Sequence, residues 1–350
     1  MGKENEIRLT QYSHGAGCGC KLAPAVLDQI LAVNPSPQHF PELLVGNHTR
    51  DDAAAYDLGN GQALLSTTDF FMPIVDDPYQ FGRIAAANSI SDVYAMGGKP
   101  VLAIAILGWP IDKLPPEVAG QVVDGARSIC SEAGVALGGG HSIDSPEPIF
   151  GLAVNGLVEV DHLRRNDGAH HGDVLFLTKS LGVGILSTAE KKGALREDDL
   201  GLAAESMMKL NSVGYELARL EGVHAMTDVT GFGLLGHLGE MCRSSELAAE
   251  IYFDKLPRLT DLEYYIDQGV MPGGTHRNWT SYGHDMGDIP LAQRALLCDP
   301  QTSGGLLISV APEAVTQVKQ ALILAGLDDH IEPIGRLVER SEQEFLVSVI

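Results

Sequence analysis

The sequence has no apolar segment long enough to cross a bilayer. Its longest apolar run, residues 101–111, is shorter than the roughly 20 residues of a spanning helix and is interrupted by Gly108 and Pro110. A buried strand explains this run better. Residues 1–9 are polar and charged and lack the apolar core of a secretion signal. We therefore expect a soluble protein without a membrane partner.

Basic residues are also scarce. The chain has 24 Lys and Arg against 46 Asp and Glu, which gives a formal net charge of −22. Such a protein repels nucleic acids and anionic lipids, so a nucleic-acid role is not expected. A nucleotide can approach it only where cations or backbone N–H groups screen the phosphates. Bound divalent metal would provide that screening.

The cysteines are few, and their number is odd. The five cysteines are scattered through a chain without a secretion signal, namely Cys18, Cys20, Cys130, Cys242 and Cys298. This distribution is typical of free thiols in a reducing compartment and predicts a cytoplasmic protein. A cysteine in special surroundings is then expected to have a chemical role.

The common nucleotide-binding motifs are absent. The sequence contains no Gly-x-x-x-x-Gly-Lys-Ser/Thr loop, no Gly-x-Gly-x-x-Gly that follows a strand and precedes a ribose-binding acid, and no kinase His-Arg-Asp segment. These absences exclude P-loop, Rossmann and protein-kinase folds.

Apolar runs alternate with helical patterns in both halves of the chain, which predicts an α/β or α+β protein. A polar stretch, residues 161–172, separates the halves, and 350 residues suit two domains. We therefore divide the chain into domains at 1–160 and 170–350. Predicted strands are 63–66, 101–107, 149–158, 174–177, 249–253 and 306–310; predicted helices are 81–96, 117–133, 200–220, 232–242 and 312–324.

Forty glycines occur in clusters such as 15–19, 138–140 and 303–305. Clustered glycines are typical of loops whose backbone approaches a ligand closely. Ordinary turns and tight packing explain any single cluster equally well. The glycines alone therefore assign no function.

Several aspartates precede or follow apolar runs. Asp69 and Asp228 each follow a threonine after a short apolar run, so we expect them at strand ends. Asn88 and Asp92 are four residues apart on a predicted helix and share a face. With Asp51 and Asp52, these acids offer the oxygen ligands that Mg²⁺ prefers. Each one alone is equally well explained as a turn, cap or solvated residue, and only the set favours a metal site.

A second candidate segment surrounds Cys18. Gly17 and Gly19 flank this cysteine, which predicts open access, and His14 and Lys21 lie close enough in sequence to stabilise a thiolate. A zinc half-site or an ordinary flexible loop are the alternatives, although Cys-x-Cys is not the usual zinc spacing. Lys21 is either a solvated lysine or a point charge for phosphate.

These motifs resemble the selenophosphate synthetase (selenide, water dikinase) family, within the aminoimidazole ribonucleotide synthetase-like superfamily. The acidic motifs occur across that superfamily, whereas the Gly-Cys-Gly-Cys-Lys segment is specific to the family. The resemblance spans nearly the whole chain and involves residues 10–14, 17–21, 49–53, 66–71, 91–98, 139–142, 227–233 and 299–305.

The resemblance implies an N-terminal α/β domain that forms a homodimer, with a Gly/Cys-rich N-terminal loop, and a C-terminal α/β domain packed against it. It implies ATP as substrate and Mg²⁺ as cofactor. Asp52, Asp92 and Asp228 would bind the metal, and Cys18 and Lys21 would be catalytic. The remaining nucleotide-binding residues would be Thr49, Arg50, Asp51, Asp69 and, from the partner subunit, Gly140, His141 and Ser142, with Lys21 and Asp92 also contacting the nucleotide.

The implied activity is ATP-dependent synthesis of selenophosphate from selenide and water, with release of AMP and orthophosphate. Three alternatives remain. A kinase or ligase of the same fold would release ADP, a metal-nucleotide sensor would bind ATP without turnover, and a redox or zinc protein would use Cys18 and Cys20 without ATP.

Overall fold

Two six-stranded sheets form the framework of the molecule. The computed structural model describes residues 7–22, 24–31, 40–46, 50–341 and 345–350. The first sheet comprises, in chain order, β1 (Leu43–Val45), β2 (Ala54–Asp57), β3 (Gln62–Phe71), β4 (Lys99–Trp109), β5 (Ala136–Asp144) and β6 (Ile149–Glu159). Their spatial order is β1-β2-β3-β6-β4-β5, and only the β4–β5 pair is parallel.

The second sheet comprises β7 (Val174–Leu177), β8 (Val223–Asp228), β9 (Leu247–Ile251), β10 (Leu306–Val310), β11 (Gly335–Glu339) and β12 (Val347–Val349). Their order is β12-β9-β11-β7-β10-β8, and only the β9–β12 pair is parallel. Every residue of β10 is buried, as expected for a strand inside a sheet that is covered on both faces.

Helices cover the sheets. In chain order the described helices are α1 (Pro24–Leu31), α2 (Pro78–Ala95), α3 (Pro116–Glu132), α4 (Val183–Lys191), α5 (Leu202–Met208), α6 (Val213–Leu217), α7 (Gly233–Ser244), α8 (Glu263–Asp267), α9 (Gly273–Tyr282), α10 (Leu291–Leu297) and α11 (Val315–Leu324). Among the described residues, none of these helices combines the length and apolar character needed to cross a bilayer.

Helix α2 lies at the centre of the molecule. It begins at an N-cap, Asp77, whose side chain accepts a hydrogen bond from Gln80 N at 2.7 Å, and Pro78 occupies the first turn. The helix packs against β3 and β6, against α3, and against β8, α5 and α6 of the second half. Because it is covered on nearly all sides, even its polar residues, including Asn88, are buried.

One face of the first sheet is covered by α2, and the other is open. Strand register places Phe70, Ile104 and Ile143 on the open face, where they are 50%, 43% and 59% exposed. Strand β5 is exposed along nearly its whole length. Within one subunit, and among the residues that the structure describes, this face is an exposed apolar surface.

The predicted fold class is confirmed, and most predicted elements occur close to their predicted positions. Two segments differ from what their patterns suggested. Residues 138–140, a glycine cluster typical of loops, lie in the edge strand β5, where a Cβ on Gly140 would lie 2.5 Å from Ala105 O of the neighbouring strand. Residues 200–220 form two short helices, α5 and α6, because the chain turns between them where the Lys209 carbonyl accepts a hydrogen bond from Lys179.

Candidate active site

Three aspartates distant in sequence converge between the two sheets. Asp52 precedes β2, Asp92 lies on the last turn of α2, and Asp228 ends β8. One carboxylate oxygen from each lies within 4.8 Å of the others. The three residues that the sequence suggested as metal ligands therefore form one cluster.

Part of this cluster has no hydrogen-bond partner. Thr227 Oγ1 donates to Asp52 Oδ1 at 3.0 Å, and Thr67 Oγ1 donates to Asp92 Oδ2. In contrast, Asp52 Oδ2 and Asp228 Oδ2 are buried without a partner among the described residues. A buried carboxylate oxygen without a donor is destabilising, by roughly 1–3 kcal/mol or more. Such oxygens are expected where a bound cation completes the structure.

The electrostatics lead to the same conclusion. Burial, followed by repulsion from Asp228, raises the pKa values of Asp52 and Asp92 well above the usual range. Burial also raises the pKa of Asp228, to about 6. Like charges this close cannot all ionise without a counter-charge. An all-oxygen donor set without His or Cys fits Mg²⁺ and does not favour zinc.

Asp69 and Lys21 form a second charged group beside α2. Asp69, near the end of β3, is 9% exposed and accepts a hydrogen bond from Asn88 Nδ2. Lys21 Nζ lies 3.8 Å from Asp69 Oδ2. The Asp69 charge is the main cause that raises the pKa of Lys21, so the ammonium group stays charged. A charged lysine here is suited to contact a phosphate.

Cys18 lies on the N-terminal segment and is buried against α2 and the second half of the chain, with 1% of its surface exposed. Its backbone N–H donates to Thr302 Oγ1 at 3.0 Å, and its Sγ lies 3.2 Å from Asn88 Oδ1. Arg277 Nη2 donates to Gly19 O at 2.6 Å and joins α9 to the same segment. In this structure the glycine-rich segment is closed.

The prediction of an open, activated cysteine was therefore wrong for this arrangement. Burial, followed by the charge of Asp69, raises the pKa of Cys18 well above its usual value. His14 contacts Glu147 instead, at 2.8 Å. The flanking glycine allows close packing rather than access, since a Cβ on Gly17 would lie 2.4 Å from Thr302 Oγ1.

The orientation of Asn88 also favours the neutral form of the thiol. The backbone N–H of Ser303 donates to Asn88 Oδ1 at 2.7 Å, while Asn88 Nδ2 donates to Asp69. A backbone N–H can only donate, so the amide oxygen must face Ser303 and therefore also Cys18. The sulfur thus faces an acceptor, and Cys18 is held as a neutral thiol that donates its S–H.

Lys179 supports Ser303 from behind. Its Nζ donates to the carbonyl oxygens of Ser303 and Lys209, each at 2.7 Å. Ser303 has a positive φ of 50°, which is uncommon for a residue other than glycine. Burial lowers the pKa of Lys179 to about 7. Sequence reasoning missed these roles of Lys179 and Ser303, although the 299–305 motif contains Ser303.

Two further residues predicted to bind nucleotide, Arg50 and Asp51, directly precede Asp52 and contact residues that follow β6 in the chain. Asp51 Oδ1 accepts a hydrogen bond from Asn166 N at 2.7 Å, and Arg50 Nη1 lies 3.7 Å from Glu240 Oε1. Thr49 lies outside the described residues.

Three predicted residues do not join the site within one subunit, namely Gly140, His141 and Ser142. They lie on exposed β5, which β6 and β4 separate from β3. Three strand spacings correspond to about 14 Å.

Two family models match the chain. The AIR synthase related protein N-terminal domain matches residues 50–158, and the AIR synthase related protein C-terminal domain matches residues 170–348. Together they cover all three aspartates of the cluster and most of both sheets.

Curated relatives match nearly the full length. The chain is 58% identical over 344 residues to the selenide, water dikinase of Photorhabdus laumondii, covering 98% of this chain and 99% of the relative. It is 58% identical to that of Yersinia pseudotuberculosis, covering 98% of both chains. Identity to that of Photobacterium profundum is 59% over 332 residues, or 95% of this chain and 96% of the relative.

Solved structures share the fold at low identity. Thiamine-monophosphate kinase from Stenotrophomonas maltophilia has a TM-score of 0.64 and 20% identity, covering 94% of this chain and 96% of its own. The hydrogenase maturation protein HypE in complex with ATP has a TM-score of 0.62 and 19% identity, covering 98% of this chain and 94% of its own. At this identity, the two likenesses establish the fold alone.

Proposed function

This chain belongs to the selenide, water dikinase family of AIR synthase-related proteins, and we propose that it uses ATP to make selenophosphate from selenide and water. The observation that carries the proposal is full-length similarity at 58% identity to relatives with this activity. The arrangement of the site supports it, because a carboxylate cluster and the buried Cys18 both flank Asn88 and Asp69.

The proposed reaction consumes one ATP, one selenide and one water. The bond between the γ-phosphorus and its bridging oxygen breaks, and a phosphorus–selenium bond forms. Water then attacks the β-phosphorus of the remaining diphosphate, which releases orthophosphate and AMP. Both steps transfer a phosphoryl group, so positioning and charge neutralisation dominate catalysis.

The carboxylate cluster fits Mg²⁺, and Asp52, Asp92 and Asp228 would hold it. When bound, the ion would supply positive charge at the phosphate oxygens. The chain itself supplies the cation Lys21, held 3.8 Å from Asp69, as a second contact for phosphate. Arg50 and Asp51, with Thr49, would line the rest of the nucleotide site.

The segment around Cys18 would exclude water from the transfer to selenium. In its closed arrangement the thiol is held through Asn88, beside Asp69 and Lys21. Selenide transfer to phosphorus competes with hydrolysis, so a closed site favours the selenium product. Cys18 would handle the selenium species once the segment opens, and a thiolate is a better nucleophile than the neutral thiol.

We propose that the protein acts as a homodimer through the open face of the first sheet. The apolar side chains Phe70, Ile104 and Ile143 are exposed on this face, and a second copy would bury them. Residues Gly140 to Ser142 on β5 would then reach the nucleotide of the partner subunit. Sedimentation equilibrium of the wild type and of a Phe70→Asp variant tests this assembly, and a wild-type monomer would contradict it.

The division at residues 160–170 remains part of the proposal. Residues 1–160 would provide dimerisation and most of the nucleotide site, and residues 170–350 would complete it with Asp228. We also propose a cytoplasmic setting, supported by Cys18, Cys130, Cys242 and Cys298, which form no disulfide.

Product analysis tests the reaction. The protein is incubated with ATP and Mg²⁺ under reducing anaerobic conditions, with and without selenide, and the products are followed by phosphorus NMR. We expect equal amounts of AMP and orthophosphate with a new phosphorus–selenium signal. ADP as the final nucleotide would contradict the proposal and favour another kinase or synthetase of this fold.

A further inference from the structure

An open cavity of about 770 Å³ lies behind the Cys18 segment. The N-terminal segment, the loop at residues 74–76, α4, the start of α9 and residues 300 and 302 form its walls. Its volume is in the range of small-molecule sites. The dikinase reaction as described above assigns no role to this cavity.

The cavity is separate from the carboxylate cluster but leads towards Cys18. None of the four site aspartates, Asp52, Asp69, Asp92 and Asp228, lines it. A second, smaller cavity of about 10 Å³ is lined by Cys18 and shares Gly19, Lys21, Gly274 and Arg277 with the larger one. That volume is about enough for one particle the size of a water molecule.

The walls of the larger cavity carry more basic than acidic side chains, in contrast to the chain as a whole. They carry five basic and two acidic side chains, although the whole chain has 24 Lys and Arg against 46 Asp and Glu. Arg8 is paired with Asp76, and Lys21 with Asp69. Lys191 and Lys192 are exposed, and neither takes part in an ion pair with any residue that the structure describes.

We propose that this cavity is the entrance for the selenium substrate, taken up as a small anion, and that Lys191 and Lys192 attract it. The proposal rests on the proposed function. Hydrogen selenide is a stronger acid than hydrogen sulfide and is a monoanion at neutral pH. The carboxylate cluster would repel this anion, whereas the walls of the basic cavity include none of the cluster aspartates and share residues with the small cavity that Cys18 lines.

The first test compares the reaction of Cys18 with two alkylating agents of similar size, anionic iodoacetate and neutral iodoacetamide. Both reagents reach Cys18 only after the closed segment opens, so the opening equilibrium cancels in the ratio of their two rates. The ratio therefore reports the electrostatic potential along the route to Cys18. A Cys20→Ser background leaves Cys18 as the only thiol in the tryptic peptide 9–21, which is quantified by mass spectrometry.

The test variant is Lys191→Gln/Lys192→Gln, which removes two exposed charges from the cavity wall. We expect the iodoacetate-to-iodoacetamide ratio to fall about threefold at low ionic strength and the difference to shrink at high salt. The matched control, Lys255→Gln/Lys319→Gln, makes the same change in net charge at residues that line neither cavity. An unchanged ratio in the test variant, or an equal fall in both, would overturn the proposed entrance.

The second test uses steady-state turnover with selenide. In Lys191→Gln/Lys192→Gln the KM for selenide should rise about threefold, while kcat and the KM for ATP stay within about twofold. A rise in the KM for ATP alone would assign the lysines to nucleotide binding and overturn the proposal. If no variant, including the wild type, converts selenide, the proposed function fails, and the alkylation ratio still decides whether the cavity guides anions to Cys18.

Discussion

The carboxylate cluster and the Cys18 segment both lie close to Asn88 and Asp69, and they differ in how their polar groups are satisfied. Asp52 and Asp228 each leave one buried oxygen without a partner among the described residues. Around Cys18, both the backbone N–H and the sulfur have partners. The cluster is thus incomplete without a cation, whereas the thiol is fully accommodated without a substrate.

This difference indicates opposite requirements for activity. The cluster must gain positive charge before nucleotide phosphates can approach it. The thiol must lose its contact with Asn88 or gain a counter-charge before a thiolate becomes favourable. Because the charges of Asp69 and Asp228 both raise the pKa of Cys18, a cation bound at Asp228 would also make Cys18 easier to ionise.

The largest effect is expected from removing charge at the cluster. Asp52→Asn, Asp92→Asn or Asp228→Asn should each lower selenide-dependent AMP formation by about 1000-fold or more, because the metal loses a ligand with little change of shape. Circular dichroism should show an intact fold. Asp124→Asn, at an exposed position on α3, serves as the control and should keep normal activity.

The outcome that contradicts a shared metal site is near-normal turnover in all three variants. Loss in only one variant would indicate that the other two aspartates act in packing rather than in metal binding.

A smaller but specific effect is expected from the thiols. Cys18→Ser should lower selenophosphate formation by about 100-fold or more, because a hydroxyl is a poorer nucleophile than a thiolate. The serine can still donate to Asn88, so Mg-ATP affinity measured by calorimetry should not change. Cys20→Ser should keep substantial activity.

Equal losses in Cys18→Ser and Cys20→Ser would instead indicate a redox or zinc pair. A fully active Cys18→Ser protein would remove Cys18 from the mechanism and leave it a packing role.

The sequence predicted the cluster better than the thiol. The Thr-Asp pairs and the helical spacing of Asn88 and Asp92 favoured a metal site, but the ligand set Asp52, Asp92 and Asp228 came from the family resemblance, and the contact between Thr227 and Asp52 spans 175 residues. The surroundings of Cys18 depend on Thr302, which lies 284 residues further along the chain, and on the neighbouring Ser303. No local pattern reports such contacts.

Glycine was misleading for a related reason. Gly17 flanks Cys18 in a way that is typical of an open loop, but it is needed because a side chain would clash with Thr302 and Ile74. Gly140 is typical of a loop by composition and lies in an edge strand. A glycine can be required because space is limited or because φ is unusual, and it is also common in mobile loops. The sequence alone does not distinguish these cases.

A moderate effect is expected at the residue shared by the two regions. Asn88→Leu removes the acceptor for Ser303 N–H and for the Cys18 thiol, and the donor to Asp69. Turnover should fall by about 10- to 100-fold, which corresponds to the loss of one or two buried hydrogen bonds. Cys18 should also react faster with iodoacetamide, with the pH midpoint of the reaction lowered.

Thr302→Val distinguishes positioning from general loosening. It removes the acceptor for the Cys18 backbone N–H and a hydroxyl that lowers the pKa of Cys18, so it should raise the pH midpoint of alkylation, opposite to Asn88→Leu. A midpoint shift in the same direction in both variants would mean that Asn88 acts only through the packing of the segment.

The smallest expected effect is on stability, and it follows from the raised pKa of Asp228. Its folded-state pKa of about 6 lies above the unfolded value of 3.8. Between these two values the folded state binds more protons, so this contribution to the free energy of unfolding falls as pH rises from about 4 to about 6. The loss amounts to about 1–3 kcal/mol in metal-free protein, and Asp52 and Asp92 act in the same direction.

Mg²⁺ should reverse this trend, because it binds the ionised carboxylates and competes with protons. Melting temperatures measured in EDTA and in Mg²⁺ should therefore differ more at about pH 7.5 than at about pH 5. Asp228→Asn should flatten the pH dependence of the melting temperature in EDTA and reduce its response to Mg²⁺. Asp124→Asn should match the wild type, and this control corrects for the general charge repulsion in a chain with net charge −22. An equal Mg²⁺ response at both pH values, or in Asp228→Asn and wild type, would show that the cluster is satisfied without a cation and that the contrast with Cys18 is wrong.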